Sequence, residues 1–154
     1  MRRSRVLLWS LLSLALVAGL MLQSMPAFAN NVHPPHVKAA KHTMAGGLVY
    51  QDIKVGKGPC PKSGDTVVVN YTGWLTNGRK FDSSLNPGRQ PFSFILGRQQ
   101  VIKGWEEGVS TMHVGGTRLL TIPASLAYGD RGAGNVIPPG ATLIFQVQLL
   151  HIYR

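Results

Sequence analysis

The chain has 154 residues, which suffices for one globular domain and leaves little room for a second. Its 16 basic and 6 acidic residues give a net charge of +10. The basic residues are scattered and no basic stripe with interleaved aromatics occurs, so the charge favours an ordinary solvated surface over a nucleic-acid-binding one. A single cysteine, Cys60, excludes an intrachain disulfide.

The first 29 residues have the pattern of a secretory signal peptide. Three arginines lie within the first five residues, an uncharged run rich in Leu and Ala covers 6–25, and Pro26 precedes the small-residue motif Ala27-Phe28-Ala29. This order predicts cleavage after Ala29 and export, with no stable membrane insertion of the cleaved chain. A run of about 20 apolar residues can also span a bilayer, so an uncleaved anchor stays an alternative.

Residues 30–46 form a predicted flexible linker. The segment contains Pro34-Pro35 and three of the five histidines, and it has no apolar periodicity. A mobile tail with two prolines between His33 and His36 does not preorganise a metal site, so no metal function is expected. We therefore predict three parts: a signal peptide over 1–29, a linker over 30–46 and one domain over 47–154.

The domain begins with patterns typical of β-strands. Val67, Val69 and Tyr71 alternate with more polar neighbours, which indicates a strand with one buried face. Asn77-Gly78 is a hairpin-turn signal. The predicted strands are Leu48–Lys54, Thr66–Leu75, Lys80–Ser83, Phe92–Ile95, Thr117–Ile122 and Thr142–Tyr153.

One stretch has helical periodicity instead. Trp105, Val109 and Met112 occur at i, i+4 and i+7, with Glu106 and Glu107 on the opposite side. The chain therefore predicts an α+β fold, in which an antiparallel sheet of five or six strands wraps around one short helix.

The usual residue patterns of bond-breaking enzymes are missing from the sequence. It has no Gly-x-Ser-x-Gly elbow, no Gly-rich loop that links a strand to a helix, and no Cys or His cluster. This narrows an enzymatic activity to chemistry that breaks no covalent bond, and no cofactor is expected.

Several stretches, spread over 48–152, resemble the signature of FKBP-type peptidyl-prolyl cis/trans isomerases in the order of that family. They are 71–75 (YTGWL), 77–84 (NGRKFDSS), 91–97 (PFSFILG), 100–108 (QVIKGWEEG), 127–129 (AYG), 137–139 (IPP) and 141–145 (ATLIF).

The resemblance implies an aromatic pocket that accelerates rotation about X-Pro bonds without cofactor or metal. It implies Trp105 as the pocket floor, the backbone N–H of Ile102 as a donor to the ligand, and the Tyr128 hydroxyl as a partner of a substrate carbonyl. The implied catalytic residues are Tyr71, Phe81, Asp82, Phe92, Trp105, Tyr128 and Phe145, and the implied substrate-binding residues are Val101, Ile102, Val136 and Ile137.

Two departures from the family pattern bear on this site. Pro87 stands where the family often has an arginine that holds the aspartate, in a loop about one residue longer, and Arg89 is the candidate substitute. Ala133 replaces an aromatic or histidine side chain often found after Tyr128, which concerns substrate preference and drug affinity.

We therefore expect an isomerase that acts on proline-containing unfolded or partly folded proteins and can bind macrolide inhibitors. A periplasm is the expected location, with secretion or a thylakoid-type lumen as alternatives. Two other functions stay open: a module that grips Pro-containing segments without turnover, and a basic surface that binds nucleic acid or anionic lipid.

Overall fold

The protein was analysed as a computed structural model that describes residues 33–154, so the predicted signal peptide lies outside the described residues. All strand pairs in the described part are antiparallel. The elements are β1 (His42–Thr43), β2 (Val49–Lys54), β3 (Thr66–Leu75), β4 (Lys80–Ser83), β5 (Phe92–Ile95), α1 (Lys103–Ser110), β6 (Thr117–Ile122) and β7 (Leu143–Tyr153).

Within residues 33–154 the strands form one sheet around a single α-helix, which confirms the predicted α+β class. Their order is β1-β2-β6-β7-β3-β4, and β5 pairs with β3 beside β4. The seventh strand, relative to the five or six predicted, is the two-residue β1. β3, β4, β5 and β6 have their predicted bounds, while β2 and β7 each begin one residue later than predicted, a normal difference at an element end.

The apolar face of the sheet packs against α1. Because side chains alternate along a strand, Val67, Val69 and Val147 all point to this concave face and are fully buried. Gly104 and Gly108 of α1 face the sheet, where an added Cβ would lie 2.4 Å from Ile122 and 2.6 Å from Leu120. The missing side chains let the helix approach the strands closely. Gly104 does so next to Trp105, at the end of α1 that enters the site described below, whereas Gly108 lies one turn farther along the helix.

A buried arginine ties the end of α1 to the sheet. Arg118 of β6 donates from Nε and Nη2 to the Asp52 carboxylate of β2, at 2.7 and 3.0 Å. Its Nη1 donates to the Gly108 carbonyl and the Thr111 hydroxyl, and its guanidinium lies 4.0 Å from the centre of the Tyr50 ring. A buried charge needs such complete pairing, so this cluster holds α1, β2 and β6 together.

Residues 33–41, which we call the strap, lie at the convex face of the sheet. The Gln51 side chain on this face donates to the carbonyls of Val37 and Ala39, at 3.1 and 2.7 Å. At the other end of the strap, His33 lies beside Gly78 of the β3–β4 turn. The division of the chain at 29 and 46 stays a prediction, but the strap has specific contacts within the predicted linker.

No helix within 33–154 combines the length and the apolar character needed to cross a membrane.

Candidate active site

A cavity of about 190 Å³ opens between the concave face of the sheet and the N-terminal end of α1. Nine of the eleven predicted site residues line it together, and Gln100 is the one lining residue that the sequence analysis gave no role. The complete lining is Tyr71, Phe81, Asp82, Phe92, Gln100, Val101, Ile102, Trp105, Tyr128 and Phe145.

Strand register explains why distant residues meet here. β3 and β7 pair over ten residues, with Tyr71 opposite Val147 and Gly73 opposite Phe145, so Tyr71 and Phe145 project from the same face. β4 pairs with the other edge of β3 and adds Phe81 and Asp82. The cavity is therefore built on paired strands and one helix, with a loop at its rim.

Edge-to-face contacts hold the rings of the cavity. Trp105 lies at the base, 5% exposed, with its ring centre 5.0 Å from Tyr71 and 5.3 Å from Phe145. Phe81 meets Phe145 at 5.5 Å with perpendicular planes. Such contacts favour one relative orientation of the rings, so the walls are set before any ligand enters.

Gly73 makes room for two of these rings. A Cβ at this position would lie 2.7 Å from both Phe81 Cζ and Phe145 Cε1, which is far inside normal contact distance. Gly73 lies inside the YTGWL stretch but was not among the predicted site residues. Its importance appears only once β4 and β7 are in place on either side of β3.

Two predicted residues lie outside the cavity lining. Ile137 is 6% exposed and belongs to the hydrophobic core, whereas Val136 is 43% exposed. The loop that carries them is closed by the Ala133 N–H, which donates to the Ile137 carbonyl at 2.9 Å. Their contact with a substrate remains a prediction.

The polar groups of the cavity are engaged with each other. The Tyr71 hydroxyl donates to Asp82 Oδ2 at 2.5 Å, and Arg89 Nη2 donates to the Tyr71 oxygen at 3.2 Å. Arg89 Nη2 also lies 3.5 Å from Asp82 Oδ1. Arg89 thus occupies the role of the arginine absent at Pro87: the longer loop places its guanidinium next to the aspartate.

Burial, reinforced by the hydrogen bond to Asp82 and its negative charge, raises the pKa of Tyr71 to about 12, against an opposing effect of Arg89. The phenol therefore stays neutral at physiological pH. Asp82 accepts from both Tyr71 and the Ser83 N–H.

The mouth of the cavity offers two groups to a ligand. Tyr128 is 43% exposed, and its hydroxyl has no hydrogen-bond partner in the described part of the chain. The Ile102 N–H likewise makes no hydrogen bond within residues 33–154. Both are suited to bind carbonyl groups of an extended peptide whose apolar residue enters the cavity.

Among residues 33–154, no three His, Cys, Asp or Glu side chains come together in a way that could hold a metal ion. The buried Trp105 Nε1 has no hydrogen-bond partner there either. Its neighbours are the rings of Tyr71, Phe92 and Phe145, so the base of the cavity is apolar.

Comparison with known proteins identifies the family. The sequence profile described as FKBP-type peptidyl-prolyl cis-trans isomerase matches residues 58–150. The FK506-binding protein of Neisseria meningitidis serogroup B is 56% identical over 109 residues, which cover 71% of this chain and 99% of that protein. FK506-binding protein 4 of Dictyostelium discoideum is 58% identical over 108 residues, 70% of this chain, but the chain spans only 29% of that longer protein.

A solved structure agrees with these matches. The crystal structure of FkpA from Escherichia coli superposes with a TM-score of 0.67 at 48% identity and covers 73% of this chain and 51% of that one. The matched residues include the whole cavity lining, from Tyr71 to Phe145. The chain belongs to the FKBP-type peptidyl-prolyl cis-trans isomerase family.

Proposed function

We propose that the aromatic cavity of this isomerase accelerates X-Pro rotation by selecting the twisted amide, without covalent or proton-transfer chemistry. The observation that carries this proposal is the lining itself. Rings form the base and walls, and the one acidic side chain of the lining, Asp82, is already bound to the Tyr71 phenol. The cavity thus supplies shape and a dry environment.

The physical reason lies in amide resonance. The barrier to rotation is about 18–20 kcal/mol, and for X-Pro the two planar forms exchange over roughly tens to hundreds of seconds. The planar amide is polar and well solvated by water, whereas the twisted amide has lost resonance and is less polar. Transfer into an apolar cavity therefore disfavours the planar form more, and only such differential binding raises the rate.

The mouth groups complete the arrangement. The Ile102 N–H and the Tyr128 hydroxyl hold carbonyls that flank the proline, while Trp105 supports the proline ring from below. Fixing both sides of the bond converts binding energy into orientation of the rotating group.

The test is replacement of the apolar base. Trp105→Ser and Phe145→Ser should each lower kcat/KM for proline tetrapeptides more than about tenfold, a barrier increase of ~1.4 kcal/mol. Tyr153→Ser, which removes a ring that is 61% exposed and outside the cavity, is the matched control and should keep wild-type turnover. Full turnover in folded Trp105→Ser protein contradicts the mechanism.

We propose that macrolides of the FK506 type compete for the same cavity, since the relatives carry FK506 binding in their names. Such a compound should inhibit the wild-type enzyme in a proline-limited refolding assay. Because Trp105→Ser is expected to lose turnover, drug binding to this variant is measured directly by calorimetry, and wild-type affinity there would place the drug elsewhere.

We propose further that the enzyme is exported and assists folding of exported proteins, with a periplasm as the expected compartment. The support is the basic start, the apolar run over 6–25 and the Ala27-Phe28-Ala29 motif. N-terminal sequencing of the protein from a cell fraction outside the cytoplasm should give Asn30 as first residue. An intact Met1 in the membrane fraction would favour the uncleaved anchor instead.

A further inference from the structure

A loop at the edge of the cavity carries part of its lining. Residues 96–102, which we call the rim loop, connect β5 to α1 and supply Gln100, Val101 and Ile102 to the cavity. These residues have no partner strand, so their position depends on how the loop is held.

The backbone of the rim loop is unusual. Gly97 has a φ of 81°, and Gln99 has a φ of 55°, the only positive φ of a non-glycine residue between 33 and 154. A side chain disfavours this left-handed region, because Cβ then approaches the following carbonyl oxygen. The conformation of Gln99 is therefore maintained by contacts from outside the loop.

Glu106 supplies those contacts. Its Oε2 accepts a hydrogen bond from the Gly97 N–H at 2.6 Å, and its Oε1 accepts one from the Gln99 N–H at 3.0 Å. A carboxylate acceptor makes both bonds charge-assisted and stronger than neutral ones. The two bonds bracket the turn, one on each side of Arg98.

Glu106 also belongs to the element that carries the base of the cavity. It lies in the first turn of α1, directly after Trp105. The positive end of the helix dipole favours a carboxylate there. Floor and rim are therefore fixed to the same helix through neighbouring residues.

We propose that Glu106 is a positioning residue for the isomerisation: its carboxylate sets the place of the Val101–Ile102 rim, and of the Ile102 N–H, above Trp105. This inference rests on the proposed function of the cavity. The Ile102 N–H has no partner in the described residues, so its direction is set by the backbone on its two sides. On one side is the rim loop; on the other is the first turn of α1, where the Trp105 and Glu106 N–H groups donate to the Ile102 carbonyl at 2.9 and 3.3 Å. Catalysis by shape is sensitive to such placement, since a displacement of about 1 Å can cost on the order of 10²-fold in rate.

The chain provides a matched control in the next residue. Glu107 has the same charge on the same helix, but its carboxylate makes no hydrogen bond or ion pair with residues 33–154; only its carbonyl accepts, from Ser110. Glu106→Ala and Glu107→Ala thus remove equal charge near the cavity. Only the first removes the two carboxylate hydrogen bonds to the rim loop, and it leaves the other bonds of the loop in place, from the Ile95 N–H to Gln100 Oε1 and between Leu96 and Asp65.

The experiment combines kinetics with amide hydrogen exchange on the full-length protein. Glu106→Ala should lower kcat for a proline tetrapeptide about tenfold with a smaller change in KM, because positioning matters most in the transition state. Exchange at the Gly97 and Gln99 amides should accelerate, while amides of β3 stay protected. Glu106→Gln should fall between wild type and Glu106→Ala, since its amide offers one acceptor oxygen in place of two. Glu107→Ala should keep wild-type values.

Two results would overturn the positioning role. One is faster exchange at Gly97 and Gln99 in Glu106→Ala with wild-type kcat, and the other is an equal loss of kcat in Glu107→Ala. Trp105→Ser in the same assay separates failure of the Glu106 proposal from failure of the proposed function. If Trp105→Ser is active, the cavity is not the reaction site. If Trp105→Ser is inactive while Glu106→Ala is fully active, only the role of Glu106 is rejected.

Discussion

The orientation and pKa of polar side chains in the cavity are set by their neighbours. Tyr71 is buried against Trp105 and bonded to Asp82, with Arg89 as third member. The half-exposed position of Arg89 means that its ion pair contributes little to stability, at most about 1 kcal/mol. Its effect is to hold the Asp82 carboxylate and the Tyr71 hydroxyl in one arrangement at the cavity wall.

The raised pKa of Tyr71 gives a prediction about pH. The folded-state pKa of about 12 lies above the value of about 10 for an unfolded tyrosine, so the neutral phenol stabilises the fold. That contribution should be complete below about pH 10 and disappear as the pH rises through 12. Ultraviolet titration of the wild type against Tyr71→Phe checks the value.

Asp82→Asn serves as the companion variant, because Asp82 raises the Tyr71 pKa through both its hydrogen bond and its charge. The Tyr71 pKa should fall in that variant. An unchanged titration curve would mean that the Tyr71–Asp82 pair does not form in solution.

At the scale of elements, close approach decides where the rings and the helix lie. Gly73 of β3 faces two rings of the cavity, and Gly108 of α1 faces Leu120 of β6. Each glycine lets its neighbours pack closely, but only the packing of Phe81 and Phe145 against Gly73 shapes the cavity.

Gly73→Ala should therefore displace Phe81 and Phe145 and lower kcat/KM, while Gly108→Ala should lower stability alone. Overpacking of this kind costs about 1–3 kcal/mol in unfolding free energy. Thermal unfolding and the tetrapeptide assay, run on both variants, check the difference. Equal losses of kcat/KM in the two would show that the effect is one of stability only.

The Arg118 cluster predicts a second contrast between elements. Arg118→Met leaves the Asp52 carboxylate without its buried partner and should cost about 3–5 kcal/mol in unfolding free energy. Arg154→Met removes an exposed cation 3.8 Å from Asp65 and should cost less than about 1 kcal/mol. Urea unfolding measures the free energy lost in each variant. Similar losses would contradict the claim that the buried Arg118 pair stabilises the fold more than the exposed Arg154 pair.

Sequence reasoning predicted most strands because their alternation is local: the bounds of β3 and β6 needed only the residues themselves. The site residues came from family resemblance, since nothing in the spacing of Tyr71 and Phe145 shows that β3 and β7 pair. Arg118 and Asp52 were missed because they are 66 residues apart and meet only through the β2–β6 register. The sequence names Arg89 as a candidate partner of Asp82, but only the path of the longer loop shows that the Arg89 guanidinium reaches the Asp82 carboxylate.

At the scale of the whole molecule, the two faces of the sheet have different covers. The concave face carries α1 and the cavity, and the convex face meets the strap through Gln51. Trp74 and Leu119, which share the convex face by register, are 1% and 7% exposed.

Gln51→Ala should loosen the strap without changing catalysis. The loss of two hydrogen bonds should lower the unfolding free energy by about 1–3 kcal/mol and speed proteolysis within 33–41. Gln148→Ala, on the same face and without a side-chain hydrogen bond within 33–154, is the control. A change of kcat in Gln51→Ala would mean that the strap communicates with the cavity.

The position of the strap also determines where a label can be attached. Because Gln51 binds the carbonyls of Val37 and Ala39 at the convex face, a fluorophore attached at residue 38 is held on the side of the sheet opposite the ring of aromatics. Labelling there should therefore leave the mouth of the cavity unobstructed.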